Sequence, residues 1–378
     1  MSLKVFVIAG EVSGDKLGGA LMAGLKSLTA VDFTGVGGPL MEEQGLNSRF
    51  PMSELSLMGI VEILPKYRDL KKRIRETADA IIAEKPDVLI TIDSPDFCLR
   101  VARLVKAASD TRTIHYVAPT VWAWRPGRAE KMAKHIDHVL ALFPFEPPFM
   151  EEAGMTCDFV GHPVVTETQA TDAEAAEFRA AHGLTDAPVI LALPGSRRGE
   201  VSRLADRFGE ALDKVLQVRP DARIVIPCAA PVYDLVQQQT RGWSGDPILL
   251  APDDPGKLTA FKAADVALAA SGTVSLELAA AQTAMVIAYD MAWLSRAIIS
   301  RMLKIDTVTL VNLVSETRAV PEFIGKDCEP GKIAGSLLTT LAEPAGQMEA
   351  MSLTMERLGA GGEPPGLRAA KSVLGQLK

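Results

Sequence analysis

Along the first half of the chain, short continuous apolar runs alternate with longer stretches of helical periodicity. The runs Lys4–Ala9, Val31–Val36, Asp87–Ile92, Thr113–Val117, Val139–Phe143 and Asp158–Val160 read as strands. Between the first two, Leu17, Leu21, Leu25 and Leu28 recur at helical spacing. Runs that are apolar throughout belong to strands buried on both faces, which predicts a parallel sheet covered by helices. The alternation lapses from about Val165 to Ala187, a polar stretch that reads as a linker leading through a short helix. It restarts at Val189–Leu193 and continues with Arg223–Pro227, Ile248–Ala251, Asp265–Ala269, Ala284–Tyr289 and Thr307–Val311. After Pro330 the pattern is helical only, interrupted by GAGGEPPG near Gly359–Gly366. One architecture is thus laid down twice. The expected fold class is α/β: two Rossmann-like domains facing a cleft, 1–165 and 166–330. Helices over 331–378 would cover a domain, cross back onto the first, or exchange between subunits.

Length agrees with this division, since 378 residues exceed one ordinary core. A hydrophobic fraction of 48% with 23% charged residues is that of a globular chain. A net charge of -7 argues against a general nucleic-acid binder, which needs a broad basic surface. Cys98, Cys157, Cys228 and Cys328 are scattered without a CxxC pair, which fits neither a disulfide framework nor a zinc site and points to a reducing cytoplasm. The apolar run before Gly10 is shorter than a signal segment, and no stretch reaches the roughly 20 apolar residues of a membrane span. The expectation is a protein that is soluble or lies on a membrane without crossing it.

Five motifs fall at strand ends, where open α/β sheets bind ligands. IAGEVSGD places Glu11, Ser13 and Asp15 after the first strand; helix capping by Ser13 or Asp15 is the plainer alternative. TIDSPDF ends a buried run at Asp93, a position suited to a general base, with capping by Asp93 or Asp96 as the alternative. HYVAPTVWAWRPGR sets Trp122 and Trp124 beside Arg125 and Arg128, apt for sugar, phosphate or acyl chain, although packing claims at least one tryptophan. LPGSRRGEV and SGTVSLE each carry a strand through a tight turn into a helix, a geometry that cradles anions. Arg197 is the better phosphate contact, with Arg198 toward solvent, and Glu277 lies one turn in, at a reach that suits ribose hydroxyls. His115 reads as a core or loop-anchoring residue and His162 as one near the hinge. Two basic amphipathic stretches, Met58–Leu64 with the KYRDLKKRIRE that follows and WLSRAIISRMLK, are suited to an anionic bilayer surface or, as commonly, to core packing with a solvated basic face. No HExxH, DxD or GxSxG motif is present.

Together GEVSGD, GVGGPLM, LMGIVEILP, IDSPDF, HYVAPTVWAWR, GHPVV, LPGSRRGEV, SGTVSLE and the CEP at Cys328–Pro330 resemble the lipid-A-disaccharide synthase family. They cover the chain from about residue 10 to 330. The resemblance implies a GT-B fold and an inverting transfer, without cofactor or bound metal. A diacylglucosamine would pass from UDP-diacylglucosamine to diacylglucosamine 1-phosphate, leaving UDP. It implies Asp93 as base, Glu11 and Ser13 on the acceptor side, Arg197, Ser271, Gly272 and Thr273 at the diphosphate, and Glu277 at the ribose. It also implies a peripheral enzyme on the cytoplasmic face of the inner membrane. Asp290 departs from the family, whose members often carry a basic residue after the tyrosine. A UDP-sugar epimerase, or a GT-B transferase with a soluble acceptor, would share the UDP half but not need the basic amphipathic stretches. A homodimer is compatible with the sequence, which leaves oligomeric state open.

Overall fold

The structure is a computed structural model. It describes residues 2–55, 60–123, 127–290 and 306–377, with the backbone alone for 60–67. The chain divides into two compact units, Met1–Thr166 with Gly361–Lys378, and Glu167–Ala360.

Unit 1 holds a six-stranded parallel sheet of order β2-β1-β3-β4-β5-β6. Its strands are β1 (Leu3–Ala9), β2 (Val31–Val36), β3 (Val88–Ile92), β4 (Arg112–Tyr116), β5 (His138–Ala141) and β6 (Thr156–Phe159). Every residue of β3 is buried, as a strand covered on both faces requires. Six helices follow the strands in turn: α1 (Val12–Leu28), α2 (Pro39–Glu43), α3 (Ile60–Glu84), α4 (Pro95–Lys106), α5 (Gly127–Ala133) and α6 (Pro147–Glu152). Leu17, Leu21 and Leu25 of α1 are buried, whereas Leu28 is 41% exposed because the helix has left the sheet by its last turn. Strand β5 is shorter than its apolar run. The amides of Leu142 and Phe143 donate to the Glu146 carboxylate, at 3.1 and 3.0 Å.

Unit 2 repeats the design with order β12-β11-β10-β7-β8-β9. Its strands are β7 (Val189–Leu193), β8 (Arg223–Pro227), β9 (Ile248–Leu250), β10 (Val266–Ala269), β11 (Met285–Tyr289) and β12 (Glu322–Ile324). Its helices are α7 (Asp172–Ala181), α8 (Arg198–Val218), α9 (Tyr233–Thr240), α10 (Lys257–Ala263), α11 (Val274–Ala281), α12 (Leu310–Ser315), α13 (Pro330–Ala342) and α14 (Ala345–Arg357). Helix α7 lies in the polar stretch and is started by a capping box between Thr171 and Glu174. Helices α13 and α14 belong to this unit, which extends to Ala360.

The expected strand Thr307–Val311 is not one. Residues 307–309 lie in a loop whose donors, the Thr307 hydroxyl and the Val308 and Thr309 amides, all reach Glu322 Oε1 at 2.8, 3.0 and 2.5 Å. With those amides satisfied by a side chain, the apolar residues that follow form α12, which buries Leu310, Val311 and Val314. The edge strand is β12 instead, paired with β11 from Ile287–Glu322 to Tyr289–Ile324.

The last helix, α15 (Pro365–Gly375), belongs to unit 1 and packs on α1. The two approach backbone to backbone: a Cβ on Gly24 would stand 2.7 Å from the Gly366 carbonyl oxygen, and one on Gly366 2.6 Å from that of Ala20. Only glycine fits at either point. Ser372 of α15 bridges His138 and Asp158, at 2.8 and 2.6 Å.

Candidate active site

In each sheet the strand order reverses at one point, between β1 and β3 in unit 1 and between β7 and β10 in unit 2. The carboxyl ends of strands at such a point leave a crevice between diverging loops, where α/β proteins bind ligands.

At the switch point of unit 1, Glu11 is the N-cap residue of α1, half-buried, and Ser13 is exposed on the first turn. Neither Ser13 nor Asp15 caps α1 with its side chain. Asp15 is buried and turned toward the neighbouring loop. Its carboxylate accepts the amides of Gly38, Leu40 and Met41 at 2.9, 3.0 and 3.1 Å, which are the donors at the start of α2. Asp15 therefore holds the GVGGPLM loop.

Asp93 follows β3 directly. Both Asp93 and Ser94 have left-handed backbones, φ +51° and +43°, a conformation that costs non-glycine residues energy and concentrates at functional sites. The Asp93 amide donates to the Tyr116 carbonyl at 3.0 Å, which ties the strained turn to β4. Burial raises the Asp93 pKa, opposed by a hydrogen bond from the Ser94 amide. Helix α4 begins at Pro95 with no side-chain cap, and Asp96 is exposed on its first turn. Asp93 lines a cavity of about 190 Å³ together with His115, Thr120 and Arg128. His115 is buried against the Thr91 hydroxyl at 2.8 Å, and burial lowers its pKa to about 4, so it is neutral.

At the switch point of unit 2, a cavity of about 350 Å³ brings together Arg197, Ser271, Gly272, Thr273 and Glu277. Gly195 turns the chain with φ +120°, and Glu200 tucks beneath that turn. Glu200 accepts the Ser196 and Arg197 amides at 3.2 and 3.3 Å and pairs with the Arg197 guanidinium at 3.1 Å. The expected anion cradle is therefore partly filled from within. The guanidinium remains 67% exposed, and Arg198 faces solvent. Thr273 opens α11, whose first-turn amides and dipole favour an anion. Glu277, half-buried, lies one turn along the same helix. Sequence reasoning missed Lys257, which starts α10 and lines the same cavity. A lone lysine in DDPGK carries no motif, so only the strand order could bring it here.

Trp122 packs edge-on against Phe145, with ring centroids 5.1 Å apart, and its indole N–H points to Glu146 at 3.4 Å. Phe143 stacks on Phe145 and contacts the buried His162, which lies four residues before the end of the first segment of unit 1. Burial pushes the Glu146 carboxyl up to about 7. Trp124 and Arg125, the stretch 293–304, and Met58 with Gly59 lie outside the described residues. Asp290 is buried and pairs with Arg207 at 3.0 Å, while Arg207 also donates to the Cys328 carbonyl at 2.6 Å. Among the described residues no three His, Cys, Asp or Glu side chains converge as a metal ion requires.

Two six-stranded parallel sheets, each with its strand order reversing at a switch point, make up a GT-B fold. The chain belongs to the lipid-A-disaccharide synthetase family, which it matches over residues 5–363. It is 65% identical to the lipid-A-disaccharide synthase of Ruegeria pomeroyi, covering 99% of this chain and 96% of that one. Identity to the synthase of Rhodospirillum centenum is 46%, over 98% and 94%. Among solved structures, the UDP-GlcNAc 2-epimerase of Neisseria meningitidis bound to UDP-GlcNAc is similar with a TM-score of 0.62 at 13% identity, covering 100% of this chain and 99% of that one. That likeness shows the fold alone. The chain is an enzyme of lipid A biosynthesis.

Proposed function

We propose that unit 2 binds the UDP half of a UDP-diacylglucosamine donor and that Asp93 of unit 1 activates a diacylglucosamine 1-phosphate acceptor. The observation that carries this reading is the clustering of Arg197, Ser271, Gly272, Thr273 and Glu277 in one cavity at the switch point of a nucleotide-binding fold. The Arg197 guanidinium, the first amides of α11 and the Lys257 ammonium face the diphosphate, and Glu277 accepts hydrogen bonds from the ribose hydroxyls. These groups stabilise the charge that develops on UDP as the glycosidic bond breaks. Asp93 takes the proton of the acceptor's 6-hydroxyl as its oxygen attacks the anomeric carbon. A single displacement inverts that centre and forms the β-1,6 bond. A carboxyl raised by burial is a stronger base than an exposed one, which supports Asp93 in this role. Glu11 and Ser13, at the same sheet edge, orient the acceptor sugar.

Both substrates are lipids, so the enzyme works at a membrane surface. Among the described residues no helix is long and apolar enough to cross a membrane. Helix α3 presents Arg68, Lys71, Lys72 and Arg75 exposed, in keeping with peripheral binding to an anionic leaflet. The four cysteines are free and buried, in keeping with the cytoplasmic face.

The test is direct: purified protein in mild detergent, given UDP-diacylglucosamine and diacylglucosamine 1-phosphate, with products followed by mass. Disaccharide 1-phosphate plus UDP is the expected outcome. UDP release without disaccharide would point to a different acceptor, and no UDP release would refute the transfer.

A further inference from the structure

Between α4 and α5 of unit 1 runs a groove of about 260 Å³ that the transfer mechanism leaves unused. Arg100 and Arg103 of α4, Arg128 and Lys131 of α5, and His135 just beyond line its walls. The apolar lining is Leu99 and Met132, and no carboxylate is present. None of the four permanent cations has an ion pair among the described residues. The positive charge registers on His135, whose pKa is lowered by burial and then by Arg103. In a chain of net charge -7, four unpaired cations around one groove form a local field that an external anion would relieve.

The groove is not isolated. Leu99, Arg128 and Met132 also line the cavity that holds Asp93. A ligand with its reacting hydroxyl at Asp93 could extend past Arg128 and set an anionic group among the remaining cations. We propose that this groove binds the phosphate monoester of the acceptor glycolipid, with Arg128 at the junction and Arg100, Arg103 and Lys131 around the phosphate. The assignment rests on the reading of Asp93 as the acceptor side. Guanidinium groups suit it because their planar donors meet phosphate oxygens in pairs, and the apolar lining accommodates the adjoining sugar face or acyl stem.

The experiment measures equilibrium binding in neutral-detergent micelles, where turnover plays no part. Two probes are used, diacylglucosamine 1-phosphate and the same glycolipid without its phosphate. Wild-type protein is expected to prefer the phosphorylated probe by roughly 10- to 100-fold, the range that charge-assisted hydrogen bonds provide. In Arg103→Gln/Lys131→Gln, two exposed positions whose replacement leaves the core intact, that preference falls at least about tenfold. No preference in the wild type, or an equal preference in the variant, would overturn the proposal. A parallel arm measures sedimentation with phosphatidylcholine vesicles with and without phosphatidylglycerol. If the variant keeps its glycolipid preference but loses binding to the anionic vesicles, the groove reads membrane headgroups, and the proposal fails in favour of that source. Asp93 is tested separately by turnover, so its failure is distinguishable from failure of the groove.

Discussion

Asp15 belongs to the GEVSGD motif, yet the structure gives it a backbone to hold and no open space to face. Oδ1 accepts the Gly38 and Met41 amides and Oδ2 the Leu40 amide, all in a buried setting. Asp15→Asn keeps one carbonyl oxygen for two of these donors but turns an NH2 toward the third. It leaves one buried donor unmet and removes the charge from the other two bonds, at a cost of about 2–4 kcal/mol. Asp15→Ala strands all three donors and should lie at the upper end, about 3–5 kcal/mol. Urea unfolding followed by circular dichroism measures the total. Hydrogen–deuterium exchange of the peptide 37–46 locates it, because the Leu40 and Met41 amides should lose protection before the rest of unit 1. A loss below about 0.5 kcal/mol with unchanged protection would refute the reasoning. Intact stability with abolished turnover would return Asp15 to the ligand.

Further expectations follow from the same geometry. The Glu146 carboxyl, ordinarily near 4.5 and pushed up to about 7 by burial, binds its proton more tightly in the folded protein. Its burial therefore costs nothing at acid pH and lowers stability progressively as pH rises from about 4.5 to 7, by up to about 3 kcal/mol. Glu146→Gln should flatten that slope in unfolding experiments between pH 5 and 8, and an unchanged slope would remove Glu146 as its source. Glu277→Ala should weaken UDP binding by about 1–3 kcal/mol through the lost ribose contact. Unchanged affinity by calorimetry would take Glu277 out of the site.

Much of the fold is legible in the sequence because strands covered on both faces are written as unbroken apolar runs. VLITI and VILAL admit no other reading once helical stretches flank them. Short or ambiguous runs mislead. TVTLV is apolar enough for a strand, but Glu322, eleven residues beyond its end, takes its amide donors and the chain turns helical. The true edge strand, EFI, is three residues long and too short to carry a pattern. The site residues stand out as strand-end motifs, yet residue type cannot separate an acidic ligand group from an acidic brace. Asp93 lines a cavity and Asp15 is buried against three backbone amides, though both are aspartates at the same sheet edge. Arg128 stands out beside the tryptophans, but Lys257 and the groove's Arg100, Arg103 and Lys131 were invisible for another reason. They come from separate elements, and only the order of strands and helices gathers them.

The central claim is that unit 2 binds UDP while Asp93 of unit 1 performs the proton transfer. Asp93→Asn tests it most directly, with UDP affinity by calorimetry and disaccharide formation by mass measured on one preparation. The account predicts UDP affinity within about twofold of wild type and turnover reduced by about 10²- to 10⁴-fold, the usual contribution of a general base. A variant that keeps near-normal turnover, or one that loses UDP affinity along with it, would contradict the account.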